Sequence, residues 1–175
     1  GRGLSKLYGN EADQAVNTFT RLRQQYPEVM AFHTALGQAQ LATGRTPEAL
    51  GTLEHALELA PRNVPVTVRY GEALLQAGRA KRAHEVLLDL FNNVPPTQEQ
   101  IRLTAMAANA AGDVADAYSY MAEYHLMGGD LMLAINQLEL ALSVPSITEV
   151  QRAKFVARLK EVSEWLPKER NRSKQ

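Results

Sequence analysis

The stretch of this chain that comes closest to a reaction centre is His84-Glu85-Val86-Leu87-Leu88. A zinc hydrolase built on such a helix needs histidines at i and i+4 on one face and a glutamate beside the first. Position 88 is leucine, so a metal would meet a single imidazole there, which is not a site. His33, His55 and His125 are far apart in sequence and are read as lying in different repeats; His125 reads as an inward or rim residue. Ser119 and Ser143 lie in helical patterns with no G-x-S-x-G turn around them, so neither is presented as a nucleophile. Gly128-Gly129-Asp130 has no strand before it and reads as a helix C-cap and turn rather than a phosphate loop. Glu54, Glu58, Glu85 and Asp89 read as solvated helix faces. The sequence therefore nominates no catalytic residue and no metal ligand, and a binding surface is the function left to it.

Bulk composition agrees with a helical binding protein. The chain has 175 residues, 45% hydrophobic and 22% charged, with a formal net charge of zero. That charge supplies no field to attract nucleic acid or an anionic membrane. Aromatics make up only 6% while alanine and leucine abound, which favours helices over a sandwich or barrel. There is no cysteine, so disulfide and thiol chemistry are ruled out. No apolar run approaches the roughly 18 residues of a membrane span; the uncharged stretch from Leu103 to Gly112 is too short.

What positions a binding surface is a repeat. Pro27, Pro61 and Pro95 stand 34 residues apart, and so do the turn glycines Gly44, Gly78 and Gly112 and the mid-helix glycines Gly3, Gly37 and Gly71. A fixed period of this length marks an array of stacked units. Tyr70 to Pro95 is the clearest unit: a helix containing Gly71, a turn at Gly78-Arg79, then a second helix with Ala83 and Leu87, closed by proline. A glycine in mid-helix costs about 1 kcal/mol relative to alanine, so its recurrence predicts close helix approach, with alanine on the facing helix filling the gap.

In order, residues 1–27 read as a truncated repeat, with a turn at Gly9-Asn10 and a second helix from about Ala12 to Gln25 whose face is Ala15, Phe19 and Leu22. Its opening Gly1-Arg2-Gly3-Leu4-Ser5 reads as the middle of a hairpin, and an upstream parent polypeptide is expected. Residues 28–61 and 62–95 are full hairpins, Thr46-Pro47 being expected to start a helix with a capping hydroxyl. Residues 96–128 form a fourth, opened by a capping box of Thr97 and Gln100. Then the spacing halves, because Gly129 follows Gly112 by 17 residues. Helix 113–127 thus serves two hairpins, the second overlapping as 113–145 with Ala134, Leu138 and Ala141 on its partner face. A last helix, 147–166, is expected to cap the stack through Val150, Phe155, Leu159, Val162 and Trp165, with Arg152, Lys154, Arg158, Lys160 and Glu161 largely outward. Residues 167–175 read as a disordered polar tail.

This spacing of small residue, turn glycine, alanine and proline resembles the tetratricopeptide repeat (TPR). The resemblance implies an all-α fold, an α-solenoid of antiparallel helix hairpins spanning 1–166, with a half-repeat irregularity near the C-terminus and a capping helix. The chain lacks the repeat's early tryptophan; His33, Thr67 and Ile101 stand at that position. Carried onto this register, the family's concave ligand face is Thr34, Gln38 and Leu41; Val68, Glu72, Leu75 and Gln76; Arg102, Met106 and Asn109; and, if the shared helix contributes, Ser119, Glu123 and Met127. The lysine–asparagine carboxylate clamp of chaperone-tail TPRs is absent, its places being held by Thr34/Gln38 and Val68/Glu72. A narrower resemblance covers the C-terminal half. The run from Ala117 to Leu166, with the string A-E-Y-H-x-x-x-G-D-x-x-x-A-I-x-Q-L-E-x-A-L from Ala122 as its most particular part, is similar to the C-terminal end of periplasmic zinc metallopeptidases of the BepA (YfgC) type, β-barrel assembly-enhancing proteases. It implies a non-catalytic protein-interaction domain in the periplasm. Zinc would belong to a separate peptidase domain and not to this chain. Its partners would be outer-membrane assembly machinery, β-barrel substrates or its own peptidase domain, with no nucleic acid. The alternative is a TPR scaffold of a cell-envelope or cytoplasmic complex unrelated to any protease.

Overall fold

The computed structural model describes residues 2–166, with side chains described from residue 11 onward. The described residues form nine helices in chain order: α1 (Arg2–Gln25), α2 (Met30–Ala42), α3 (Thr46–Leu59), α4 (Val64–Gln76), α5 (Ala80–Phe91), α6 (Gln98–Ala111), α7 (Val114–Met127), α8 (Leu131–Ser143) and α9 (Glu149–Glu164). They divide into two compact units at the Pro95–Pro96 bond. The expected packing role of Gly3 and the expected tail at 167–175 lie outside the described side chains and residues.

In the first unit, successive helices pack as antiparallel neighbours and α2 lies alongside α4. The turns are set locally. Gly44 and Gly78 both adopt φ of +73°, the left-handed conformation that ends a helix at little steric cost. In each, the residue after the glycine donates its backbone N–H back into the preceding helix, Arg45 to Gln40 O and Arg79 to Leu74 O, both at 2.8 Å. The mid-helix glycines serve packing instead. Leu53 of α3 lies across Gly37, and Leu87 of α5 across Gly71. Leucine therefore fills the glycine gap, not alanine as the sequence suggested, because its branched end reaches the facing backbone; Ala49 and Ala83 are buried beside it. His33 and Thr67, at the missing tryptophan's position, are buried too.

Two local expectations are corrected here. No turn interrupts Gly9-Asn10: α1 runs unbroken from Arg2 to Gln25, and its Val16 packs with Leu36 and Ala39 of α2. Thr46 does not cap α3; Arg45 holds the N-cap position without a side-chain bond, and Thr46 is already inside the helix. The turn is closed by backbone bonds from Gly44 and Arg45, and the Arg45 guanidinium is turned aside to Asp13 at 2.7 Å.

In the second unit, Thr97 and Gln100 form the expected capping box. Gly112 and Gly129 repeat the left-handed turn, at φ of +91° and +80°, with the same return bonds from Asp113 to Ala108 O and from Asp130 to His125 O. Helix α7 packs against both α6 and α8, so it closes one hairpin and opens the next, as the halved spacing requires. Helix α9 packs on α8 through two fully buried side chains. Phe155 joins Ala115 and Ala141, and Val162 joins Ala122, Ala134, Ile135 and Leu138. Leu159 lies against the second cluster. Val150, 81% exposed, and Trp165, 49% exposed, do not take part. Both fall off the stripe through Phe155 and Val162 that faces α8.

Candidate protein-interaction site

In the first unit the seven residues that the repeat register assigned to α2 and α4 differ in exposure. Gln38 and Gln76 are exposed, and Thr34, Leu41, Val68, Glu72 and Leu75 are half-buried. Thr34 and Gln38 border an open cleft. It occupies about 370 Å³ between the start of α2 and the start of α4, lined by Met30, Ala31, Thr34, Ala35, Gln38, Asn63 and Pro65. None of those side chains is charged. At the α4 side of the cleft the helix start is fixed by Asn63-Val64-Pro65: the Asn63 side chain accepts a hydrogen bond from Val66 N–H at 3.2 Å, and proline sits in the first turn. Asn63 and Pro65 were missed because the register assigned no position at the start of α4; an Asx residue two places before a proline was the available signal.

The polar groups of the cleft have distinct capacities. The Thr34 hydroxyl donates to Met30 O at 2.9 Å and keeps its lone pairs for an incoming donor. Asn63 spends its carbonyl oxygen on the cap and keeps its amide N–H groups. Gln38 is exposed and can both donate and accept. Further along, Glu72 is paired with Arg69 at 2.6 Å, so it does not stand as a lone negative charge. A second cleft of about 280 Å³ includes Leu57, Thr67, Val86 and Leu90 in its lining. At its edge Arg62 pairs with Asp89 at 3.5 Å and Arg82 with Glu85 at 3.3 Å.

In the second unit Arg102, Met106 and Asn109 are exposed on α6. Arg102 bonds Glu99 at 3.0 Å, and its guanidinium lies 3.9 Å from the Met106 sulfur. The contribution expected of α7 is mostly withdrawn. Ser119 is 8% exposed, because α7 is covered by both α6 and α8. Glu123 is held by Arg158 of α9 through two bonds of 2.7 Å, Nε to Oε1 and Nη2 to Oε2. Of the three residues, Met127 alone is exposed. Arg158, expected outward, is therefore a tie between α9 and α7; it also bonds Glu161 at 2.7 Å and stacks 5.3 Å over Trp165. These carboxylates hold its pKa above the ordinary arginine value, the hydrogen bond to Glu123 first.

Two of the histidines approach one another. His33 and His55, which the sequence kept apart, belong to one hairpin, and their ring centroids lie 6.2 Å apart. His33 is 1% exposed and its Nε2 meets Pro27 O at 2.8 Å, while His55 faces solvent beside Glu58. Among the described residues no three His, Asp or Glu side chains gather as metal ligands, and no helix is long and apolar enough to cross a membrane. Burial first, then Asp116 and Asp113, pushes the Tyr120 phenol up to about 12.

Comparison with known proteins places these hairpins. Two family models, each described as tetratricopeptide repeat, match residues 1–64 and 41–108. No curated protein matches the sequence. Among solved structures, MamA 41-end from Desulfovibrio magneticus RS-1 superposes with a TM-score of 0.62 at 15% identity, over 93% of this chain and 97% of that one. A MamA RS-1 double mutant gives 0.64 at 16% identity, over 93% and 92%. A thermophilic TPR protein of Thermus thermophilus gives 0.54 at 19%, over 90% and 95%. Identities this low carry the fold alone.

Proposed function

We propose that this chain, a tetratricopeptide-repeat domain by the family models that match within residues 1–108, is a docking domain that captures an extended protein segment rather than an enzyme. The observation that carries this is the α2–α4 surface: an uncharged cleft whose Gln38 and Asn63 carboxamides and Thr34 hydroxyl keep hydrogen-bonding capacity for a ligand. Extended peptides are held in this way, by main-chain hydrogen bonds plus shallow pockets for side chains.

The finer reading follows the string that begins at Ala122. On it, the domain serves a periplasmic zinc metallopeptidase of the BepA type and docks assembly machinery, a β-barrel substrate or the peptidase domain itself. Zinc and the proteolytic chemistry then belong to that other domain. Support comes from the similarity of the string and from its place in the fold. It spans the second half of α7, the Gly129 turn and most of α8, in the half-repeat that departs from a regular array. A photo-crosslinker at Gln38 and another at Arg102, introduced in the intact cell, tests both levels. Adducts with outer-membrane assembly components or unfolded β-barrel proteins are expected. Adducts confined to cytoplasmic proteins would refute the periplasmic reading and leave the scaffold reading; zinc-dependent proteolysis by the purified chain would refute both.

A further inference from the structure

We infer that His33 and His55 form a two-imidazole site for a late first-row divalent metal ion, Cu(II) above all, which ties α2 to α3 when bound. The site shares no residue with the α2–α4 cleft and does not rest on the docking reading.

Each ring already has one nitrogen engaged in the way a metal-bound histidine requires. His33 Nε2 lies 2.8 Å from Pro27 O. A carbonyl only accepts, so the neutral ring carries its proton on Nε2 and leaves the Nδ1 lone pair open. That Nδ1 is buried and has no hydrogen-bond partner among the described residues, a costly state that a bound cation would relieve. On the facing helix, His55 Nδ1 lies 3.3 Å from Glu58 Oε2. The carboxylate accepts from Nδ1–H, which leaves Nε2 open. Histidine ligands to metals donate their second N–H to a backbone carbonyl or a carboxylate, fixing tautomer and ring direction; this pair has one of each.

The spacing selects the ion. The ring centroids are 6.2 Å apart and the planes are tilted by 42°. With metal–nitrogen bonds of about 2.0–2.1 Å and about 1.1 Å from nitrogen to ring centre, two imidazoles on one ion have centres about 6.3 Å apart when trans and about 5.1 Å apart when tetrahedral. The observed separation fits a trans pair on a tetragonal ion, the geometry of Cu(II) or Ni(II) rather than Zn(II), and Cu(II) is also bound most tightly in the divalent series. The His55 side chain is 55% exposed, so the ion enters from that side and the outer ring can swing onto it. No third His, Asp or Glu gathers with the pair among the described residues, so water completes the coordination. The chain has no cysteine to compete.

The test uses the full chain without an affinity tag, with Cu(II) alone as the probe and Ni(II) and Zn(II) as comparisons. One Cu(II) per chain is expected, with two imidazole nitrogens in its electron paramagnetic resonance spectrum and with paramagnetic broadening of NMR signals centred on His33 and His55. Because His33 is buried, its part is read from the broadening and the nitrogen count rather than from a variant. His55→Gln should weaken binding at least tenfold at an unchanged melting temperature of the metal-free chain, and Glu58→Ala severalfold. His84→Gln and His125→Gln should leave affinity as it is. Broadening centred on His84, His125 or the N-terminal amine would overturn the site, as would a single coordinated imidazole. Zn(II) binding as tight as that of Cu(II) would overturn the trans geometry. Absence of Cu(II) binding at submillimolar concentration would overturn the inference outright.

Discussion

Leu53 lies so close over Gly37 that a Cβ built on the glycine would stand 2.7 Å from Leu53 Cγ, whereas the matching distance from Gly71 to Leu87 is 3.0 Å. The same pairing, glycine and a leucine sixteen residues on, is thus tight in one hairpin and borderline in the next. Helix propensity favours alanine over glycine by about 1 kcal/mol, while overpacking a filled core costs typically about 1–3 kcal/mol. Gly37→Ala should therefore lower stability and Gly71→Ala should be nearly neutral, with Gly71→Leu disruptive. Urea unfolding of the three variants decides the matter. Gly37→Ala combined with Leu53→Ala should cost less than the sum of the two single changes, since they share one gap.

Gly51 provides the control. It is exposed in the middle of α3, and a Cβ there meets nothing within 4 Å. Gly51→Ala should raise stability by up to about 1 kcal/mol, through propensity and a less flexible unfolded chain. A fall in the denaturation midpoint would mean that this face of α3 is covered in solution.

The Arg158–Glu123 pair is two-pronged but about one-third exposed on both sides, so its worth is well below that of a sealed ion pair, about 1 kcal/mol or less. Arg158→Ala should loosen α9 more than it lowers the global midpoint. Amide exchange in α9 should accelerate while that of α7 changes little, and added salt should reduce the difference between wild type and variant.

Arg102 and Met106 are exposed on α6. Changing either to glutamate should leave the melting temperature within about a degree or two, since exposed substitutions seldom exceed about 0.5 kcal/mol, while weakening capture of a partner that uses this face. Destabilisation by either comparable to that of Gly71→Leu would mean that α6 is turned the other way.

Tyr120 should contribute to the alkaline limit, alongside Tyr70, whose pKa is raised by burial and then by Glu54. The Tyr120 pKa, raised to about 12 by burial and then by Asp116 and Asp113, lies above the ordinary value near 10. The folded state favours the protonated phenol, so the stabilisation is complete below about pH 10 and is lost as pH rises towards 12. Melting temperature should fall across that window, and Tyr120→Phe should flatten the fall. An unchanged slope in the variant would remove Tyr120 from the account.

The expected site was only partly legible. The repeat register put Thr34 and Gln38 beside the α2–α4 cleft and Arg102, Met106 and Asn109 on the exposed side of α6. Ser119 and Glu123 were misplaced because the register of α7 can be read twice, and both readings hold at once: a helix packed on two sides has little surface left.

What the sequence determined by itself is whatever a residue decides within its own turn of chain. Left-handed glycines at 44, 78, 112 and 129, with prolines after the helices, set where hairpins fold and that one helix is shared, since the αL cost and the missing amide are local properties. The tertiary structure decided what depends on meetings between distant residues. Leucine rather than alanine fills the glycine gap, Arg158 reaches back 35 residues to Glu123, and the cleft is assembled from α2 and the start of α4. Those outcomes depend on side-chain length and on which faces are left uncovered, and only packing settles either.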